Sequence, residues 1–218
     1  MRVLLFGGTG MIGQGALLAC LRDERVSEVL AVGRAATGRA HPKLTELIRE
    51  DLFDLSDAEE RLAGYDACLF CLGVSSAGMK EPEYRRVTHD LTLSVAEPLA
   101  RRNPSMRFLY ISGAGTDPDG RSMWSRVKGT TENALLALSF EAYMIRPGII
   151  QPRDGIKSRT RLYRIGYTVM LPVLSGLRAV APNAVTTTDL LGRVMVDVAA
   201  DGADKRVLEM ADINRLAP

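Results

Sequence analysis

The chain has 218 residues, of which 46% are hydrophobic and 25% charged, and 28 Lys and Arg against 26 Asp and Glu leave a net charge of +2. At ~150 residues per domain this length favours one domain, and the apolar content excludes disorder and supplies a core that needs no metal or disulfide staple. No basic or acidic tail stands out, which argues against a nucleic-acid partner.

Three cysteines, Cys20, Cys68 and Cys71, suit a reducing compartment, and a cytoplasmic location is expected. The apolar run at the start, Val3 to Phe6, is shorter than the ~7–15 residues of a secretory signal core. No stretch holds the ~18–20 uninterrupted apolar residues of a spanning helix. The nearest, Ile165 to Ala181, is broken by Pro172 and Arg178.

In chain order, short β-rich runs at Arg2–Phe6, Glu28–Val32, Leu44–Ile48, Ala67–Leu72, Arg107–Ile111 and Ala142–Arg146 alternate with helical patterns. Met11–Leu21 carries Ile12, Ala16 and Ala19 on one stripe, and Glu83–Arg101 carries Val87, Leu91, Val95 and Leu99 on another. Pro98 is expected to kink or end that second helix. Ser122–Leu138 continues the pattern, Thr187–Ala200 reads as a helix with Thr188 as N-cap, and Arg206–Met210 as a last strand. Strands alternating with helices predict βαβ units: an α/β, Rossmann-type doubly wound, mostly parallel sheet of six or seven strands with flanking helices. The whole chain, 1–218, is expected to form one dinucleotide-binding domain, with a small substrate or interface region from about 151 to 218.

Gly7-Gly8-Thr9-Gly10-Met11-Ile12-Gly13 follows the first strand and opens the first helix. Gly7 permits the tight turn, Gly10 lets backbone approach a pyrophosphate, and Gly13 lets helix and strand pack. Exposed N–H groups and the helix dipole favour an anion there. A second strand ~20 residues on completes the setting for dinucleotide binding. That strand ends Ala31-Val32-Gly33-Arg34, without the carboxylate that holds the 2′-hydroxyl of NAD. Arg34, with Arg39 as a helper, suits a 2′-phosphate, so NADP is expected ahead of NAD; a solvated loop arginine is the plain alternative.

The Gly-x-x-Gly-x-x-Gly spacing, Asp51-Leu52 after the third strand, Cys71-Leu72-Gly73 after the fourth, Ser112 after the fifth, Lys128 on the next helix and Arg146-Pro147-Gly148 after the sixth resemble the short-chain dehydrogenase/reductase superfamily. More narrowly, they resemble its compact atypical branch of NAD(P)-binding, epimerase-like proteins related to the Tat-interacting oxidoreductase. The resemblance covers residues 1–150 well and the rest in outline. It implies that Thr9, Met11 and Ile12 join the three glycines around the cofactor and that Asp51 and Leu52 contact adenine. It further implies that Leu72, Gly73 and Val74 line the adenosine ribose, and that Pro147, Gly148 and Ile149 flank the nicotinamide. In this superfamily Ser, Tyr and Lys move protons, which would make Ser112 and Lys128 catalytic, Lys128 also holding the nicotinamide ribose.

The Tyr of that set lies four residues before the Lys, on the same helix face, where the ammonium lowers the phenol pKa toward working pH. Here that position is Trp124. An indole N–H donates a hydrogen bond but does not ionise usefully. Three readings stay open. Another acid substitutes, from Tyr163, Tyr167, His89 or water held by Ser112 and Lys128. Hydride passes to a quinone- or flavin-like acceptor that needs little acid help. Or the protein binds cofactor as a sensor without turnover. Trp124 itself is a packing residue or a stacking surface for a flat substrate.

Cys68 and Cys71 read as small buried residues rather than a metal or redox pair, and with only His41 and His89 no metal site is expected. Leu162–Val180 is apolar nearly all round and reads first as substrate cover or a homodimer interface, then as core, with membrane-surface contact last. A small-molecule substrate is the expected partner.

Overall fold

The computed structural model describes residues 1–156 and 185–216. The opening runs become β1 (Arg2–Phe6), α1 (Met11–Arg22), β2 (Glu28–Gly33) and β3 (Leu44–Ile48). A 3₁₀ helix over Ser56–Leu62 leads to β4 (Ala67–Phe70). Then come α2 (Glu81–Arg85), a π-helical turn (Arg86–Asp90), α3 (Leu91–Arg102), β5 (Arg107–Ile111), α4 (Met123–Leu136) and β6 (Glu141–Ile145). The remaining elements are β7 (Ile149–Gln151), β8 (Val185–Thr187), α5 (Thr188–Asp201), β9 (Val207–Leu208) and α6 (Met210–Leu216).

The main sheet has seven strands in the order β3-β2-β1-β4-β5-β6-β9, and every pairing is parallel. The chain thus starts in the middle, winds outward one way, crosses at β1–β4 and winds outward the other way. That reversal opens a crevice beyond the carboxyl ends of β1 and β4.

Strand periodicity builds two cores. Val3, Leu5, Leu69, Leu109 and Ile111 face α1 and α5, joining Ala16, Leu17, Leu191 and Met195. Their neighbours Leu4, Phe6, Phe70, Phe108 and Tyr110 face the other way, toward Leu62, Val95, Leu99 and Leu135. On this second face Phe6, Phe70, Phe108 and Phe140 form an aromatic row across the sheet, with successive centroids 5.6, 5.6 and 4.8 Å apart. Strands buried on both faces account for the uninterrupted apolar runs of the sequence.

Several expectations need correction. The segment 83–101 is not one helix: α2 and α3 are separated by the π turn, where the Thr92 hydroxyl bonds the Thr88 carbonyl and competes with the backbone ladder. Pro98 does not end α3, which runs on to Arg102. β4 stops at Phe70, because after the Cys71 N–H reaches the Phe6 carbonyl (2.9 Å) the chain leaves the sheet. The N-cap of α5 is Thr187, whose hydroxyl accepts from the Leu190 N–H (3.2 Å); the Thr188 hydroxyl accepts from the Arg153 N–H (3.0 Å) instead. The last strand shortens to β9, and the two-stranded parallel sheet β7–β8 was not foreseen. The apolar segment 162–180, with Tyr163 and Tyr167, lies outside the described residues.

Asn103 closes the second core. This buried side chain accepts from the Gly64 and Tyr65 N–H groups (2.7 and 3.2 Å) and donates to the Leu62 and Leu99 carbonyls (3.1 and 3.3 Å). Asn103→Ala leaves several backbone groups unpaired and is expected to cost about 2–3 kcal/mol in denaturant unfolding. A loss below about 0.5 kcal/mol would contradict that role.

Candidate functional site

The turn between β1 and α1 is set by two glycines. Gly7 has φ of +81°, and a Cβ on it would stand 2.8 Å from the Cys71 carbonyl carbon. A Cβ on Gly13 would stand 2.1 Å from the Gly7 carbonyl oxygen. The first turn of α1 is therefore pressed onto the end of β1. Gly10, at the N-cap, supplies no side-chain cap, and no acidic residue occupies the first turn. The Met11, Ile12 and Gly13 N–H groups keep their donors for an anion, in the positive field of the helix end.

Beside this turn Gly7, Gly8, Thr9, Arg34, Leu52 and Leu72 line one cleft. Ala31, Val32, Gly33, Ala35, Thr37 and Glu46 complete its wall. Arg34 is exposed and forms no ion pair with any described residue. Sequence reasoning missed Thr37 and Glu46: the Glu46 carboxylate accepts from the Thr37 N–H (2.7 Å) and ties the loop after β2 to β3. The register pairing Ala31 with Glu46 puts that carboxylate at the cleft, a signal visible only once strands are paired.

Asp51 is exposed, and its carboxylate accepts from the Phe53 N–H (2.8 Å) in a local turn rather than lining the cleft. Gly73 and Val74 are exposed in the loop after β4. On the other side of the crevice the Ser112 N–H bonds the Ile145 carbonyl (2.8 Å), and the Ala114 N–H bonds the carbonyl of buried Pro147 (3.0 Å). These bonds join the end of β5 to the end of β6, where Gly148 is half-buried and Ile149 exposed.

Ser112 is buried, its hydroxyl 3.0 Å from that of Thr116, which donates in turn to the Gly113 carbonyl (2.8 Å). With the Thr116 proton committed, Ser112 donates to Thr116 and keeps its lone pairs free. Thr116 is a second residue that sequence reasoning missed. Lys128 donates from Nζ to the Ile111 carbonyl (3.0 Å), and its ammonium sits 5.2 Å from the Tyr110 ring centroid. Burial drives the Lys128 pKa down to about 8, with the Glu132 charge pulling the other way. Trp124 turns its benzo edge toward Gly113 and Gly115, whose added Cβ atoms would each meet it at 3.8 Å. It packs on the β5–α4 loop, one face of which it covers.

The sequence matches the profile of a family of nucleotide-dependent enzymes over residues 3–140. The chain belongs to the NAD dependent epimerase/dehydratase family. Members bind a nicotinamide dinucleotide, and the cradle is of the right kind: a glycine turn, an uncapped helix end free of acidic side chains in its first turn, and a cleft of mixed polar and apolar lining beside it. Among relatives, the chain is 30% identical over 156 residues to a protein named mitochondrial FMP52 from Emericella nidulans, covering 68% of this chain and 66% of that protein. It is 30% identical over 155 residues to the FMP52 protein of Eremothecium gossypii, also named mitochondrial, covering 69% and 66%. The chain thus matches slightly under two thirds of the length of each. A short-chain dehydrogenase/reductase from Saccharomyces cerevisiae shares the fold, with TM-score 0.71 and 12% identity over 100% of this chain and 99% of that one. The expectation of a cytoplasmic location is corrected: these relatives carry names that place them in mitochondria.

A lysine whose pKa falls on folding destabilises the fold wherever it is forced to stay charged. Below pH about 8 that cost is full; between about 8 and the ordinary value near 10.4 the unfolded chain binds the extra proton and stability rises with pH. Lys128→Met is therefore expected to melt a few °C (~3) higher than the native protein at pH 7, with the gap closing as pH approaches ~10. A variant that melts lower at pH 7 would overturn the claim that the ammonium is held at a cost.

Proposed function

We propose that the protein is an NADP-dependent oxidoreductase of the atypical short-chain type, acting on a small carbonyl or quinone-like substrate. The observation that carries this reading is the Arg34 guanidinium, without an ion-pair partner among the described residues, in a cleft continuous with the glycine turn. A guanidinium without a carboxylate partner suits a 2′-phosphate, to which it donates charge-assisted hydrogen bonds. The Met11, Ile12 and Gly13 N–H groups suit the pyrophosphate. Leu52 and Leu72 suit the adenosine, and Lys128 the nicotinamide ribose. The bound dinucleotide would supply hydride chemistry. The chain's own part is to bind and orient: Ser112 would orient the substrate, and Pro147 and Gly148 would flank the nicotinamide.

A second reading, a cofactor-binding regulator without turnover, is favoured by Trp124. Its indole cannot exchange a proton as a phenol does, and it packs against the Gly113–Gly115 loop.

Calorimetric titration tests the cofactor assignment. The native protein is expected to bind NADPH more tightly than NADH, and Arg34→Ala to lose about tenfold in NADPH affinity with little change for NADH. Equal affinities in the native protein, or an Arg34→Ala variant indifferent to the 2′-phosphate, would contradict it. NADPH oxidation against aldehydes, ketones and quinones separates the two readings. Turnover supports the oxidoreductase; tight binding with no turnover, also in Trp124→Tyr, supports the regulator.

A further inference from the structure

The position four residues before Lys128 carries Trp124 in place of a phenol, yet a carbonyl that gains hydride must also gain a proton. The described residues around Lys128 hold an arrangement that answers this need. Half-buried Lys128 donates from Nζ to the Ile111 carbonyl at the end of β5 and has no salt-bridge partner within 4 Å among the described residues. A desolvated cation is ordinarily paired. A carboxylate is available one turn along the same helix, because Glu132 stands at i+4, the spacing at which Lys and Glu meet. Glu132 is instead taken by Arg146: Arg146 Nε donates to Oε1 at 3.0 Å and Nη2 to Oε2, with the Glu132 side chain 3% and the Arg146 side chain 18% exposed. A further bond from Arg146 Nη1 to Glu209 (2.8 Å) fixes the guanidinium from its other side.

We propose that Lys128 is the proton-exchanging group of this site, and that Arg146 is the positioning residue that equips it by keeping Glu132 occupied. This rests on the oxidoreductase reading above. As hydride reaches the substrate carbon, the carbonyl π pair moves to oxygen. An N–H bond of Lys128 then breaks, an O–H bond forms, and the neutral amine recovers a proton from water. The ammonium is poised for this because it is desolvated and has no counter-ion, which brings its pKa to about 8.

Among the described residues, the titratable groups on the elements around Lys128 are each engaged elsewhere or raised by burial. On α4 there is Glu132. On β5 there is Tyr110, whose ionisation burial pushes far up, and beside it Tyr84 of α2, also raised by burial. On the π turn His89 is engaged by Asp90 (2.9 Å), and at the end of β6 stands Arg146. Glu81 of α2 is held by Arg126 (2.7 Å).

The competition for Glu132 has a sign test. The ε-carbon of Lys128 is followed by NMR against pH in lysine-labelled full-length protein, with Lys128→Arg giving the assignment. The native midpoint is expected near 8. Arg146→Met frees Glu132 to pair with Lys128 and should raise the midpoint by about one unit or more, while Glu132→Gln should lower it. Arg146→Lys, which retains a cation for Glu132, should stay near the native value. Melting curves show whether each variant is folded, and Glu132→Gln, which keeps a hydrogen-bonding amide toward Arg146, carries the test if Arg146→Met is not. NADPH-dependent reduction of a carbonyl panel by the native protein should fall as Lys128 deprotonates, and that limb should move with the NMR midpoint in each folded variant.

A native midpoint above about 10, the same direction of shift in both charge-removing variants, or a rate profile that ignores the Lys128 titration overturns the proposal. Failure to bind NADPH, with the Lys128 midpoints shifting as stated, overturns the cofactor reading on which it rests.

Discussion

The carbonyl of Gly7 is the contact around which the rest of the molecule is arranged. It accepts the Gly10 N–H (2.9 Å) and touches the backbone of Gly13 so closely that no side chain fits between them. That contact fixes the angle at which α1 leaves β1, and with it the direction in which the uncapped N–H groups point. It also places the helix end at the β1–β4 crossing, where the strand order reverses and a crevice must open. The buried rows of the two cores hold the strands parallel on either side of that point. Anion affinity here is thus a property of backbone geometry, which side chains elsewhere serve to maintain.

The parts of this arrangement governed by local sequence were legible in advance. The glycine turn and the alternation of strand and helix follow from spacing alone, and the family resemblance marks Ser112 just past β5 and Lys128 within α4. What escaped was set by tertiary contact. Glu46 reaches the cleft only because β3 pairs with β2, and Thr116 matters only because its loop folds back onto Ser112. The interruption between α2 and α3 is a π turn, which apolar periodicity does not register because Val87, Leu91, Val95 and Leu99 keep their order through it. The choice between Thr187 and Thr188 as N-cap turned on where Arg153 of the β7 loop finds its acceptor.

Trp124 shows how one departure from a family pattern redistributes roles. The indole fills the space beside the Gly113–Gly115 loop and contributes packing where a phenol would contribute a proton. Among the described residues the family's lysine position remains filled by Lys128, whose pKa desolvation holds below the ordinary range of a lysine while the Glu132 charge pulls the other way. The Arg146–Glu132 ion pair on its own is weak evidence of stability, since desolvating two charges costs about what their attraction returns. Its location, between the end of β6 and the helix carrying Lys128, ties it to the site.

The central claim concerns the amino end of α1, and amide NMR reads that end directly. On titrating the protein with NADPH, the backbone amide resonances of Met11, Ile12 and Gly13 should shift together with those of Gly8 and Gly33, and saturate at one stoichiometric equivalent. Resonances that stay in place at the α1 terminus while others move, or a spectrum unchanged throughout, would contradict the account.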